Sequence, residues 1–567
     1  MTDYKAKIYE AVKNVLPIDR DDVTVSDKFC DYCVPCFKLA KTMRRAPAAI
    51  ASEGAAVVKL DGMTVEAVGG YINFTIERAA RINDLFASAL GAYKPFDGKT
   101  VCIDYSSVNI AKPFHIGHLM TTVIGGSLYK IYRALGANAV GINHLGDFGT
   151  QFGGLIVAYE RWGSEADLEK RGLDALLELY VRFNKEAEAH PELKDEARSR
   201  SGKIESGDPY AVGLFEKFKA ITLEQAKKVY KRLNIEFDSY LGESFYVDKV
   251  SAVEDKLRAK NLLETSDGAE VVDLKWSEVS GETEPKADDD KTDETKVPAI
   301  IRRSDGASLY IARDLAAAYY RHDTYNFDKC LYVVASHQAL HFKQLFRILE
   351  LLGEPWASDM VHVSYGMVSV EGMALSTRHG NVLYLSDVLD AAVDKAKEII
   401  EERNPALYGK AAVAESVGVG AVVFDALYDG KLKDKNFSIA DALNFDGETG
   451  PYVQYTHARC RSVLAKAGET SARVDLGTLL ADDAAYDVVK LLSDFDDVVY
   501  TAAVKYEPSV VSRRLVKICQ AFNRFYNADR IMCGGDMQAA RLALTERVAD
   551  TLEYGLGLVL LAAPNRM

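Results

Sequence analysis

Two histidines stand three residues apart in His115-Ile116-Gly117-His118, after the apolar run Val101-Cys102-Ile103 and at the head of a helical pattern beginning Leu119-Met120. That spacing puts both imidazoles on one face of a first helical turn. A helix N-terminus exposes unpaired N–H groups and the positive end of the peptide dipole, so it receives phosphate. Imidazoles placed there can donate hydrogen bonds to phosphate oxygens as charge builds in a transition state. Gly117 lets a flat ring such as adenine approach the backbone. The plainer alternative is a pair of capping or surface histidines.

The pair needs a strand before it and a helix after it. The sequence supplies a strand in Val101–Ser106, a loop, a helix from Leu119 closed by Gly136, and a second strand in the run 139–147. This order makes a βαβ unit. Upstream, helical periodicity (residues 7–16 and 36–43) and the strand-like Tyr71–Ile76 predict a small α+β domain over 1–95. Downstream, a helical, charged stretch covers about 155–260, and strand patterns return in 300–314 and 329–338. The acidic segment 281–296 reads as an exposed loop. Beyond 400 the apolar spacing is helical almost throughout, which predicts a C-terminal bundle.

The chain has 567 residues, 48% of them hydrophobic and 27% charged, with a net charge of −14. Its length suggests about three or four domains, and its apolar content excludes a disordered or low-complexity chain. The acidic balance excludes a generally basic binder that gains affinity by neutralising phosphates. It does not exclude a selective one, because residues 451–567 carry 14 Lys+Arg against 14 Asp+Glu and are locally neutral. Eight cysteines are too few for a disulfide scaffold and suit a reducing compartment. Cys30, Cys33 and Cys36 could offer thiolates to zinc, but the fourth ligand of a structural site is missing nearby. The start of the chain has no signal-peptide core, and the apolar stretch 556–564 is too short to span a bilayer. A soluble cytoplasmic protein without a membrane partner is expected.

The run from Asp104 to His118 (DYSSVNIAKPFHIGH) and GDFGTQFG at 146–153 are similar to the arginyl-tRNA synthetases, a class I aminoacyl-tRNA synthetase family. The similarity continues in 304–318, 336–346, 374–381 and 449–459 and in the terminal PNRM, so it spans nearly the whole chain. It implies an α/β fold: a Rossmann-like catalytic domain over 96–400 with a helical insertion, an N-terminal domain over 1–95 that meets the tRNA elbow, and an all-α anticodon-binding bundle over 401–567. It also implies ATP-dependent ligation of L-arginine to tRNA(Arg) by a monomer, with Mg2+ arriving on ATP and no dedicated protein metal site.

Arginine's guanidinium is planar and always charged, so a buried site for it needs carboxylates and aromatic faces. The resemblance places Tyr310 and Asp314 there, facing together if their segment is helical, with Glu243 as a further acid. It places Ser107, Asn109, His118 and Gln338 around the α-amino and carboxylate groups, where Asp104 anchors the amino group or orders the loop. The plainer place for Asp314 is a helix surface or a salt bridge with Arg313. Class I enzymes usually carry two lysines in a mobile loop that neutralise the ATP phosphates. Here that stretch reads Ala374-Leu375-Ser376-Thr377-Arg378, without either lysine. Lys112 is the expected substitute, with Ser376 and Arg378 as further ATP contacts, since the effect depends on distance to phosphate and not on chain position.

On the tRNA side the resemblance points to Tyr452, Tyr455 and Arg459, the cations interleaved with aromatic residues over 505–530 add Tyr526, and Asn73 is expected to meet the elbow. Phe522 and Phe525, at helical spacing, read as core. Two rivals share the histidine motif. One is a silent paralogue, suggested by the vacant lysine positions, and the other a nucleotidyltransferase that does not use tRNA.

Overall fold

The computed structural model describes residues 4–26, 30–112, 114–274, 276, 298–304, 309–370, 384–468 and 474–567. At the N-terminus four strands, β1 (Thr24–Val25), β2 (Tyr32–Pro35), β3 (Met63–Val68) and β4 (Tyr71–Ile76), form an antiparallel sheet in the order β1-β2-β4-β3. Alternation in β4 buries Ile72, Phe74 and Ile76 and turns Tyr71, Asn73 and Thr75 to the other face. The buried face shares a separate core with Tyr4, Ile8 and Val12 of the first helix.

Next come β5 (Thr100–Asp104) and β6 (Asn138–Ile142), joined through the helix Leu119–Ala134. Helices then run almost without interruption from Thr150 to Arg232. A small antiparallel sheet of β7 (Leu263–Ser266), β8 (Ala269–Val272) and β9 (Ala299–Arg302) follows. The central sheet is completed by β10 (Lys329–Ala335) and β11 (Met360–Tyr365), in the order β11-β10-β5-β6 with every pair parallel. Both faces are covered, which explains why these strands read as continuous apolar runs.

Of the strand patterns expected in 300–314, only β9 is a strand. From Tyr310 the chain is a helix, Tyr310–Tyr325, whose apolar side buries Ile311, Ala312, Leu315 and Ala316. The C-terminal region is helical except for β13 (Lys435–Phe437), which pairs in parallel with β12 (Val368–Val370) and ties the bundle to the catalytic part. Among the described residues the helix that combines length with high hydropathy is Lys410–Tyr428. It is long and apolar enough to cross a membrane, yet 61% of its apolar window is buried among other helices. The acidic segment 281–296 lies outside the described residues.

Candidate active site

Strand order reverses at β5, which has β6 on one side and β10 on the other. Parallel sheets bind ligands in the crevice beyond the carboxyl ends of the strands at such a point. Asp104 ends β5, and the turn Ser336–Gln338 follows β10, so Gln338 stands exposed across the crevice from the loop 105–115.

That loop is held in an unusual backbone path. Ser106, Ser107 and Ala111 all have positive φ, at 71°, 48° and 57°. Each such residue is costly and persists only where its surroundings enforce it. Here the Ser106 N–H donates to Thr121 Oγ1 (3.0 Å), Ser107 Oγ donates to Asp104 Oδ1 (2.9 Å), and the Ala111 N–H donates to Thr222 Oγ1 (3.1 Å). Asn109 bridges to Gly146 in the second motif. A side chain at position 146 would run into Asn109 Oδ1, 2.2 Å from an added Cβ, which is why that motif needs glycine.

The structure shows the capping role of the histidines directly. The Gly117 N–H donates to His115 Nδ1 (3.1 Å) and the His115 N–H donates to His118 Nδ1 (3.3 Å), so each ring caps the turn. An Nδ1 that accepts leaves the hydrogen of a neutral ring on Nε2, free to donate elsewhere. Burial lowers the pKa of both rings, with Lys112 adding to the depression, and His118 is pushed down to about 3. The rings are therefore neutral near pH 7, with centroids 4.0 Å apart, and Phe114 stacks on His118 at 5.2 Å. Gly117 is needed for the cap itself, because an added Cβ would meet the His115 ring at 2.8 Å. A cleft of about 550 Å³ opens beside Lys112, walled by Phe114, Thr222, Lys228, Arg232 and Tyr384. That volume suits a nucleotide-sized ligand.

On the other side of the crevice the charges are already paired. Asp314 Oδ2 accepts from His341 Nε2 at 2.6 Å, and 27% of the Asp314 side chain remains accessible. Burial opposes its charge, but the His341 bond outweighs it and holds the carboxyl below the usual range. Arg313 does not pair with Asp314. Its guanidinium, 5% exposed, binds Glu243 Oε2 at 3.1 Å and lies over the Phe148 and Tyr310 rings at 4.6 and 4.9 Å. Burial, opposed by Arg313 and aided by Asp314, pushes Glu243 up to about 7. Tyr310 is 62% exposed at the head of its helix, one turn before Asp314.

Both carboxylate oxygens of Asp104 already have partners. Its Oδ2 accepts from the buried Arg321 at 2.7 Å, so it orders the loop through Ser107 and fixes Arg321. Arg321 also donates to His144 Nδ1 (3.2 Å), whose buried Nε2 points toward Asp314 Oδ1 at 3.9 Å. Periodicity and spacing do not point to His144, Arg321, His341 or Thr222, and they offer Arg313 only as a neighbour of Asp314. His144 and His341 do sit in the tracts that follow β6 and β10, the strand-end positions where crevice residues belong.

Far along the chain, Tyr452, Tyr455, Arg459 and Tyr526 come together on the helices Gly450–Ala467 and Ser509–Ala528. The Arg459 guanidinium lies 4.9 Å from the Tyr455 ring and 5.4 Å from the Tyr526 ring. Asn523 receives a bond from Arg459 at 2.7 Å and donates to Tyr452 Oη at 3.0 Å. Phe522 and Phe525 are fully buried, as their spacing predicts. Among the neighbouring cations Arg514 is tied to Asp494, whereas Arg513, Lys517 and Arg524 are exposed. Asn73 is half-buried on the outer face of the N-terminal sheet, opposite Cys33 and Glu66. Cys36 is buried while Cys30 and Cys33 are not, and among the described residues no group of three or more His, Cys, Asp or Glu could hold a metal ion. Ser376 and Arg378 lie outside the described residues.

Comparison with known proteins agrees with this geometry. Residues 82–439 match the family model "tRNA synthetases class I (R), catalytic domain", residues 453–567 the "DALR anticodon binding domain", and residues 2–76 the "Arginyl tRNA synthetase N terminal domain". The chain is 43% identical to an arginine–tRNA ligase of Alkaliphilus metalliredigens and 44% identical to one of Clostridioides difficile, each alignment covering 100% of both proteins. Its fold superposes on Thermus thermophilus arginyl-tRNA synthetase with a TM-score of 0.83 at 24% identity, covering 100% of both chains. For the Plasmodium falciparum arginyl-tRNA synthetase the TM-score is 0.81 at 21% identity, covering 99% of this chain and 98% of the other. A family model that covers more than half of the chain and full-length relatives above 40% identity together show that the chain belongs to the class I arginyl-tRNA synthetase family.

Proposed function

We propose that this protein joins L-arginine to tRNA(Arg) through an arginyl-adenylate, with MgATP as the energy source. The observation that carries the reading is the split crevice, with neutral imidazoles and Lys112 on one side and Tyr310, Asp314 and Glu243 on the other. Arginine lies between, its guanidinium toward Asp314 and Glu243 and its α-groups toward Ser107, Asn109 and Gln338. One carboxylate oxygen attacks the α-phosphorus of ATP and pyrophosphate leaves. His115 and His118 donate from Nε2 to phosphate oxygens, and Lys112 offsets the charge that the absent loop lysines would meet, so catalysis is positioning and charge stabilisation. The terminal ribose 2′-hydroxyl of tRNA then attacks the carbonyl carbon and AMP departs.

The Tyr455, Arg459 and Tyr526 cluster suits unstacked anticodon bases, which bind by stacking on aromatic and guanidinium planes. Asn73 and its sheet face are the corresponding contact for the tRNA elbow. The domain limits 1–95, 96–400 and 401–567 follow from this division of labour. The protein acts as a cytoplasmic monomer, a setting that suits its unpaired cysteines. Light scattering at the chain mass of 62.4 kDa checks the monomer. Arginine-dependent pyrophosphate exchange, run with and without tRNA(Arg), tests the activity. Exchange is expected when tRNA is present, and silence in both conditions would leave the inactive paralogue standing. Exchange driven by another substrate would favour the nucleotidyltransferase.

A further inference from the structure

The helix Pro209–Arg232 belongs to the helical insertion, yet one of its faces grips the site. Tyr230 Oη meets Ser106 Oγ at 2.9 Å and receives a bond from Asn143 at 2.9 Å. Lys219 donates to the buried Asp147 at 2.7 Å, and Asp147 in turn accepts from the N–H and Oγ of Ser244, both at 2.8 Å, next to Glu243. Between these two contacts lies Thr222, 3% exposed. Its hydroxyl donates to Phe218 O at 2.9 Å and accepts from the Ala111 N–H at 3.1 Å.

The acceptor role matters because of what Ala111 is doing. At φ 57° an alanine is held in the left-handed region, which its Cβ disfavours. The next residue is Lys112, and Pro113 after it disfavours the helical region for Lys112. The direction in which the Lys112 side chain leaves the backbone is thus set by the Ala111 conformation, and the Thr222 bond anchors that conformation from outside the loop. Both Lys112 and Thr222 line the same cleft of about 550 Å³.

We propose that Thr222 is a positioning residue that aims Lys112 at the ATP phosphates, so that the helical insertion sets the placement of the cation standing in for the absent loop lysines. The inference rests on the reading of Lys112 given above. It is tested in the full chain with tRNA(Arg) present, measuring pyrophosphate exchange while MgATP and arginine are varied separately. Thr222→Val is expected to lower kcat about tenfold, less than the roughly hundredfold that a 1 Å misplacement can cost, with KM for arginine within about twofold of the parent. Thr222→Ser, which keeps the hydroxyl, is expected to stay within about twofold of the parent. In a Lys112→Ala background, Thr222→Val is expected to add less than about twofold, because its effect runs through the missing ammonium. If the valine variant fails to fold in a thermal melt, Thr222→Ala carries the same comparison. Full activity of Thr222→Val beside a crippled Lys112→Ala would overturn the positioning role, as would an equal loss from Thr222→Val in both backgrounds. Unchanged ATP kinetics in Lys112→Ala would instead overturn the Lys112 reading itself.

Discussion

The two sides of the crevice treat charge differently. In the assignment proposed above, the acids of the amino-acid side already have protein partners: Asp314 has His341, Glu243 has Arg313, and Asp104 has Arg321. On the phosphate side the rings are neutral, their Nδ1 atoms are spent on capping, and the Nε2 atoms face away from those bonds. A site for a permanent cation needs acids that stay ionised in a buried place; the His341 bond does this for Asp314, while burial outweighs Arg313 at Glu243. A site for polyphosphate gains more from donors that are fixed in advance and carry no charge of their own to desolvate.

Breaking the amino-acid side is expected to have the largest effect. Asp314→Ala should lower kcat/KM for arginine by about 2–5 kcal/mol, since it leaves a buried guanidinium without its acid. An unchanged kcat/KM would remove Asp314 from the pocket. Lys112→Ala strikes the other side and should lower kcat for exchange about a hundredfold, the scale of one lost transition-state donor. The Tyr455 and Arg459 cluster follows the pattern of the phosphate side, prepared and facing outward. Tyr455→Ala should weaken tRNA binding by about 1–3 kcal/mol, as for one lost stacking partner, with KM for arginine unmoved. A shift in the arginine KM alone would move Tyr455 out of the RNA interface.

The smallest effect sharpens the contrast by pH. Glu243 is raised to about 7, so in the free enzyme it is largely protonated below that pH and ionised above it. A guanidinium needs the ionised form, and kcat/KM reports the free enzyme. The value for arginine should therefore rise as pH increases through about 7, and Glu243→Gln should flatten that rise. Persistence of the same inflection in the glutamine variant would assign it to another group. The sign for stability runs the other way. Because the folded-state value lies above the ordinary one, the folded state gains from Glu243 at low pH and loses that gain as pH rises through about 7.

Local chemistry was legible in the sequence wherever its cause was local. The one-turn separation of Tyr310 and Asp314 and the apolar stripe of Phe522 and Phe525 follow from helical periodicity, whereas His115 turns out to be an extended N-cap before the 3-10 turn Ile116–His118 and not part of a first helical turn. Pairing across the chain was not legible. Arg321 reaches Asp104 over 217 positions, and Arg313 chooses Glu243, 70 positions away, over the Asp314 beside it. Nothing in a helical repeat says which acid a buried guanidinium will meet, because that depends on how separate elements dock. The same limit hid β13, whose three residues become a strand only because β12 offers them an edge. It also hid the direction of the histidines' capping bonds, since their spacing does not say that each Nδ1 accepts from the backbone and leaves Nε2 over.

The apolar core that begins at Ile82 continues without a break to Leu561, through the helix Leu119–Ala134, which docks on the C-terminal helices with Ser127 bonded to Leu558 O and Tyr132 to Ala503 O. The C-terminal helices are thus no detachable accessory. A chain cut near residue 450 would expose the flank of the helix that carries the histidine turn, so the part that meets the anticodon also acts as scaffolding for the chemistry at the other end of the tRNA. The first 76 residues, by contrast, hold a core of their own, and the pairs Tyr4–Asp84 and Arg81–Asp31 fasten it to the helix that follows.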